Sequence, residues 1–231
     1  MDDAIRSLLA AESFNEVRTL GVGLSVNRIV VRSSDGDSEV DSYPGLEVAF
    51  QRTGSTVIVH EGAVFANVKV FTGSNSYLEF EPTHQRGIRN TAIDMRGGDG
   101  AQAHVGANTS IESCRISMGN ENRASISIGA NCMISSNVEF RVGDGHAMFN
   151  LDAPDVVINR TRPIRIADHV WIGSGVVFLK GASVGEDSVV ATRAVVSKPF
   201  DEKNTVLAGT PATVVKRGIG WSREYISRYP E

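Results

Sequence analysis

Histidine suits proton removal near neutral pH, and the chain carries five: His60, His84, His104, His146 and His169. His60 and His84 lie in stretches without a motif, His104 precedes a short apolar repeat, and His169 sits inside a longer one. His146 differs, because its segment, GDGHAMFNLD from Gly143 to Asp152, fits no repeat. A loop histidine taken alone is a solvated surface residue, so this position gains meaning only from its flanking residues. Asp144, two residues earlier, either orients the imidazole or simply shapes a Gly-flanked turn. Metal chemistry finds little support, since no two histidines have close ligand spacing and Cys114 and Cys132 form no CxxC or Cys/His cluster. These cysteines read as buried thiols. Trp171 stands within the repeat, where a narrow coil accommodates an indole poorly, so it should point outward.

The elements that position these residues follow a period of six. Ile166, Ile172, Phe178, Val184, Val190 and Val196 are all apolar; the residues one position later are mostly small, and those four later, Val170, Val176, Ala182, Ser188 and Ala194, are small or β-branched. This period matches neither an α-helix nor a continuous strand, but it suits short strands joined by tight turns that stack coil on coil. Weaker copies are Ile128, Ile134 and Phe140, then Val105 and Ile111, then Ile58, Val64 and Val70. The copies are out of phase, so the coil must be interrupted near 117–125 and again near 143–163, and the second interruption is long enough to be a functional loop.

The 231 residues carry 27 acidic and 23 basic side chains, a net charge of -4, with no Lys/Arg run of the kind that binds nucleic acid. Glycine outnumbers proline 23 to 7 and aromatics make up 6%, which favours tight turns over a large aromatic core. The opening MDDAIRSLLA has acids where a signal peptide carries bases, and no apolar run is long enough to span a bilayer; a cytoplasmic protein is expected. The organisation expected is a helix around Ile5, Leu8 and Leu9 with a β lead-in over 1–56, a solenoid over 57–205 and a terminal loop and short helix over 206–231. Trp221, Tyr225 and Tyr229 recur every four residues, which predicts one packed side of that last helix.

The segment GDGHAMFNLD, followed by PIRIADHVWIGSGVVFLKGASVGEDSVVATRAVVSK (163–198) and VLAGTPATVVKR (206–217), resembles the hexapeptide-repeat acyltransferases, specifically the branch that O-acetylates sugars and capsular polysaccharides. With the weaker hexads the likeness runs from about Ile58 to Arg217. It implies an all-β fold, a left-handed parallel β-helix with three hexapeptides per coil and an interrupting catalytic loop. It also implies a homotrimer that binds acetyl-CoA between subunits and needs no metal.

What the resemblance implies for single residues is equally definite. His146 takes the place of the base, Trp171 packs at the mouth of the site, and the backbone N–H of Ser174 faces the thioester carbonyl as an oxyanion donor. Ala191 and Thr192 line the pantetheine arm, with Ser197 and Lys198 further out; Ala208, Gly209 and Pro211 come next, and Lys216 and Arg217 stand near the phosphates of coenzyme A. Thr192 and Arg193 replace residues that are commonly small in similar enzymes, and Asn150 stands where an aspartate is frequent. Three alternatives share the scaffold: a zinc enzyme of the γ-carbonic anhydrase type, an N-acetyltransferase of an amino sugar or small amine, and a noncatalytic trimeric solenoid.

Overall fold

Strands as short as two residues dominate the later part of the chain, and in each the side chains alternate between an inward apolar residue and an outward one. The computed structural model describes residues 26–230, so the helix expected around Ile5, Leu8 and Leu9 lies outside the described residues. Successive turns of chain stack in parallel to make a three-faced β-helix. Its first face runs through Arg28–Ser33, Thr56–His60, Tyr77–Phe80, Gln102–Val105, Ser125–Ile128, Ile164–Ile166, Ser183–Val184 and Pro199–Phe200, with Gly36–Val40 antiparallel along its edge. The second and third faces join as one sheet, because Ile88–Asp99 pairs with both Ser110–Ile111 on the second and Cys114–Ser117 on the third.

The interior consists of three columns. Val59, Phe80, Val105, Ile128, Ile166 and Val184 stack on the first face. Ile111, Ile134, Ile172, Val190 and Leu207 stack on the second, and Ile93, Ile116, Phe140, Phe178 and Val196 on the third. All are buried. The hexads from Ile128 onward are therefore the core, as their period predicts. The upstream fragment differs: Val59, not Ile58, occupies the column, and Val64 is 48% exposed. Early strands are longer and their corners wider, so a strict step of six slips by one residue there.

Parallel pairing extends back to Arg28 against Thr56, so Arg28–Ser33 is a rung of the helix. At the corner between the first and second faces the chain turns through left-handed residues, Asn108, Asn131, His169, Asp187 and Asn204, with φ of 53–58°. Asparagine and aspartate tolerate that conformation through their short polar side chains, which explains their recurrence. The expected C-terminal helix is reduced to a 3-10 turn, Ile226–Arg228, with Tyr225, Ile226 and Tyr229 exposed. Of the aromatic stripe, Trp221 alone packs, stacked on His169 at 4.2 Å. The helical spacing fails because the segment after Gly218 runs back along the solenoid: Ile219 N–H donates to Asn204 O, and Trp221 Nε1–H to His169 O. No helix among the described residues is long and apolar enough to cross a membrane.

Phe140 and Phe178 stack at 4.8 Å across the coil that carries the longer insertion. Phe140→Ala should cost about 3–5 kcal/mol in denaturant unfolding, the usual range for emptying a buried phenylalanine site. A loss below about 1 kcal/mol would mean that the column tolerates a gap.

Candidate active site

Both insertions leave the solenoid at the corner between the third and first faces, one after Cys114–Ser117 and one after Val138–Arg141. They lie on each other. A Cβ on Gly119 would come within 3.1 Å of the Gly143 Cα, so the lower loop carries glycine where the upper one rests on it. Asn120 Nδ2–H donates to Gly145 O at 3.0 Å, and the Glu121 carboxylate accepts from the Thr161 N–H (2.6 Å), the Thr161 hydroxyl (2.7 Å) and Arg160 (3.3 Å). The upper loop contains a hairpin, Phe149–Asn150 against Ala153–Val157.

Asn159 ties the hairpin's base. Its amide donates to Asp144 Oδ2 (2.8 Å) and to His146 O (2.9 Å), while its own oxygen accepts from the Met148 N–H (2.7 Å). Lys180 pairs with Asp144 and also donates to Asn159 O at 3.0 Å. The bond from Lys180, and then that from Asn159, holds the Asp144 carboxyl below the usual aspartate range. Asp144 is thus engaged with the loop's own frame rather than with the imidazole. The His146 ring is exposed and makes no hydrogen bond among the described residues; it borders a cavity of about 140 Å³ with Asn120, Ala147, Val157 and Arg160. Its backbone is fixed while its side chain is free, which is the condition a base needs before a substrate arrives.

Trp171 begins the second-face strand Trp171–Ile172, between Met133 and Val189. It points outward and is 40% exposed, as the coil's width predicts. The Ser174 hydroxyl is spent on Ser136, donating to its carbonyl at 3.0 Å. Gly173 and Gly175 donate their N–H groups to Val190 O and Ser136 O, whereas the Ser174 N–H has no acceptor among the described residues. The residues expected along the donor lie on the coils beyond this point, spread over more than one corner. Arg193 N–H donates to Ser174 O, Ala191 N–H donates to Leu207 O, and the Thr192 backbone sits 2.7 Å from where a Cβ on Gly173 would be. Ser197 and Lys198 occupy the next corner, with Lys198 over the Phe200 ring. Ala208, Gly209 and Pro211 form the turn of the Thr205–Gly209 and Ala212–Arg217 hairpin. Lys216 has no ion-pair partner among the described residues, while Arg217 is paired with Glu202 at 3.0 Å.

Within one chain the structure brings Ser174, Thr192 and the Gly209–Pro211 turn to one corner but leaves His146 at another. No residue borders both the His146 cavity and the Trp171 cavity. Three of the other four histidines serve the fold: His60 binds Glu79, His104 binds Glu81, and His169 binds Asp187 at 2.7 Å. Cys114 and Cys132 are buried, and burial pushes both thiols up to about 12. Sequence reasoning missed Asn159, Glu121 and Lys180, whose roles depend on contacts 15 to 40 positions away.

A solenoid of stacked hexads with one long loop is the left-handed parallel β-helix, and the proteins this chain resembles are hexapeptide-repeat acetyltransferases. No family model matches the chain. The chain is 32% identical over 101 residues to a polysialic acid O-acetyltransferase of Escherichia coli O1:K1, covering 44% of this chain and 32% of that protein. It is 35% identical over 102 residues to the polysialic acid O-acetyltransferase of Neisseria meningitidis, covering 44% and 47%. The chain spans less than half the length of these curated relatives. Among solved structures, that of the polySia-specific acetyltransferase NeuO superposes with a TM-score of 0.65 at 27% identity, over 79% of this chain and 91% of that one.

Asn159→Ala should loosen the loop around His146 without unfolding the solenoid, seen as faster amide exchange over 145–158. The Asp144 contribution has a definite sign. Its folded pKa lies below 3.8, so its pairing holds the loop at neutral and mildly acid pH and is lost as pH falls below the ordinary aspartate range. Exchange protection should therefore be flat from neutral pH to about 5. A steep fall above pH 5 would assign the loop's order to another group.

Proposed function

We propose that the protein is an acetyl-CoA-dependent O-acetyltransferase acting on a sugar or polysaccharide hydroxyl, working as a homotrimer. One observation carries this reading: His146 is presented, unbonded, on a braced loop, while the free Ser174 N–H and Trp171 lie at separate positions on the same chain. A second copy would bring the loop of one subunit to the Trp171 wall of its neighbour. The hairpin supports this arrangement, because Met148, Phe149, Leu151, Val156 and Ile158 are all exposed and Leu151 is 94% so.

In the reaction, the acceptor hydroxyl gives its proton to the His146 imidazole as its oxygen attacks the thioester carbonyl carbon. The oxyanion that develops is met by the Ser174 N–H, a preformed donor that need not reorganise. Collapse breaks the C–S bond, leaves the ester on the sugar oxygen and expels the thiolate, which recovers the proton from the imidazolium. Lys198 and Lys216 supply positive charge toward the far end of the donor path, where the phosphates of coenzyme A would lie. Trp171 offers a stacking face at the junction of donor and acceptor.

His146→Ala should lower kcat by about 10² to 10⁴, the usual contribution of a general base, with coenzyme A affinity nearly unchanged. Thiol release from acetyl-CoA in the presence of a panel of sugars and oligosaccharides measures it; a variant retaining a third of the wild-type kcat would exclude His146 as the base. Leu151→Glu should shift sedimentation from trimer toward monomer and make activity depend on protein concentration. A stable, fully active monomer would contradict the shared site.

A further inference from the structure

The cavity beside Trp171 is bordered by a cluster of cations that neither the repeat nor the acetyl-transfer reading uses. Its volume is about 190 Å³, and Arg86, Ser110, Glu112, Met133 and Ser135 line it with the indole. Arg223 reaches its edge from the returning C-terminal segment. That guanidinium donates to the Ser110 hydroxyl (2.9 Å) and to the carbonyls of Cys132 (2.6 Å) and Asn108 (3.3 Å). All three acceptors are neutral. Neither Arg86 nor Arg223 forms an ion pair among the described residues. The nearby carboxylates are engaged elsewhere, Glu112 with Arg89 at 3.7 Å and Glu224 with Arg228 at 3.6 Å. His84 completes the cluster, its Nδ1 accepting the Arg86 N–H at 3.2 Å.

Holding a part-buried guanidinium without a counter-charge beside another cation is unfavourable. Burial and the Arg86 charge both pull the Arg223 pKa down, and burial followed by the two arginines does the same to His84. The three bonds staple neighbouring coils but supply no counter-charge, and the C-terminal segment is also anchored by Trp221, so the positive charge of Arg223 is left over from its structural role. Arg86 lines the cavity and Arg223 stands at its edge, bonded to Ser110 of the lining, and a guanidinium pairs well with the planar, two-oxygen geometry of a carboxylate.

The location narrows the source of the anion. On the second face the outward column runs Ser110, Met133, Trp171, Val189, Val206. Beyond Trp171 and Ser174, which sit at the junction, the residues assigned to the donor lie at and beyond the coil of Val189, whereas Arg86, Ser110 and Met133 lie on the coils before Trp171. We propose that Arg86 and Arg223 form an anion site beside Trp171 that takes a carboxylate of the acceptor, so that the acceptors are acidic sugars or glycans. This rests on the acetyl-transfer reading for the word acceptor, but the site itself does not.

The test uses the chain's only two tryptophans, Trp171 and Trp221, whose rings are 6.1 Å apart, at this site and in the segment that delivers Arg223. Their fluorescence is titrated with glucuronate and with glucose. Saturable change with glucuronate and none with glucose is expected, and Arg86→Gln should weaken the glucuronate response about tenfold or more, as loss of a charged hydrogen bond does. Arg86 is exposed with no side-chain partner among the described residues, so the variant should fold, which circular dichroism verifies. Lys69→Gln, which breaks a pair with Glu47 on early coils, is the control and should leave the response unchanged. Equal responses to both sugars, or an unaltered response in Arg86→Gln, would overturn the site. In steady-state assays the same variant should raise KM for an acidic acceptor and leave KM for acetyl-CoA alone; a rise confined to acetyl-CoA would assign the cluster to a donor phosphate and overturn the proposal. Glucuronate binding of the expected kind in a protein that releases no thiol would retire the acetyl-transfer reading and keep the anion site.

Discussion

The narrow interior of the prism governs everything else in this molecule. Each coil offers one inward position per face to each column, and that position must hold one apolar side chain in contact with those above and below. Close stacking also limits the size of the residue just after the inward one. A Cβ on Gly106 would come within 2.6 Å of the Gly129 backbone, and one on Gly129 would meet Asp168 and Ala167. Small residues after the apolar ones are therefore a packing requirement, since a side chain there would force neighbouring coils apart.

Because nothing extra fits inside, additional chain can leave only at a corner. Both insertions use the corner between the third and first faces, and each uses the one below as a floor. Gly119 under Gly143, Asn120 under Gly145 and Glu121 under Thr161 turn a long excursion into a third layer of contacts. The result is a loop whose polar base is well bonded and whose tip is apolar and uncovered. Rigid backbone with a free imidazole, and an apolar tip in search of a partner, are two consequences of one arrangement.

The C-terminal segment turns the same geometry to another use. Once the last hairpin closes the solenoid, the chain runs back along the corner between the first and second faces, from Asn204 past His169 to Asn108. It staples successive coils through side-chain bonds to backbone carbonyls and sets Trp221 next to Trp171. A segment that looks like a terminal appendage thus helps to shape the surroundings of an indole some 50 positions earlier.

The hexads from Ile128 onward, the outward Trp171 and the two departures from the coil were legible in the sequence, because a stack that admits one residue type per position writes its period directly into the chain. The stacked-coil architecture was legible for the same reason, whereas the cysteines read as buried because they form neither a disulfide framework nor a metal motif. The wider early coils were not, since longer strands relax the step of six and let Val59 take the place expected for Ile58. Nor was the bracing of His146, which depends on Asn159, Glu121 and Lys180 meeting across separate coils, or the turning of Asp144 toward Lys180. Trp221, Tyr225 and Tyr229 carried a helical spacing that the fold overrode, because backbone and indole bonds to the existing corner outweighed a short helix without a buried face. The tertiary structure alone decided which side chains share a cavity, since only stacking brings Arg86, Trp171 and Arg223 to one place and sets His146 apart from them.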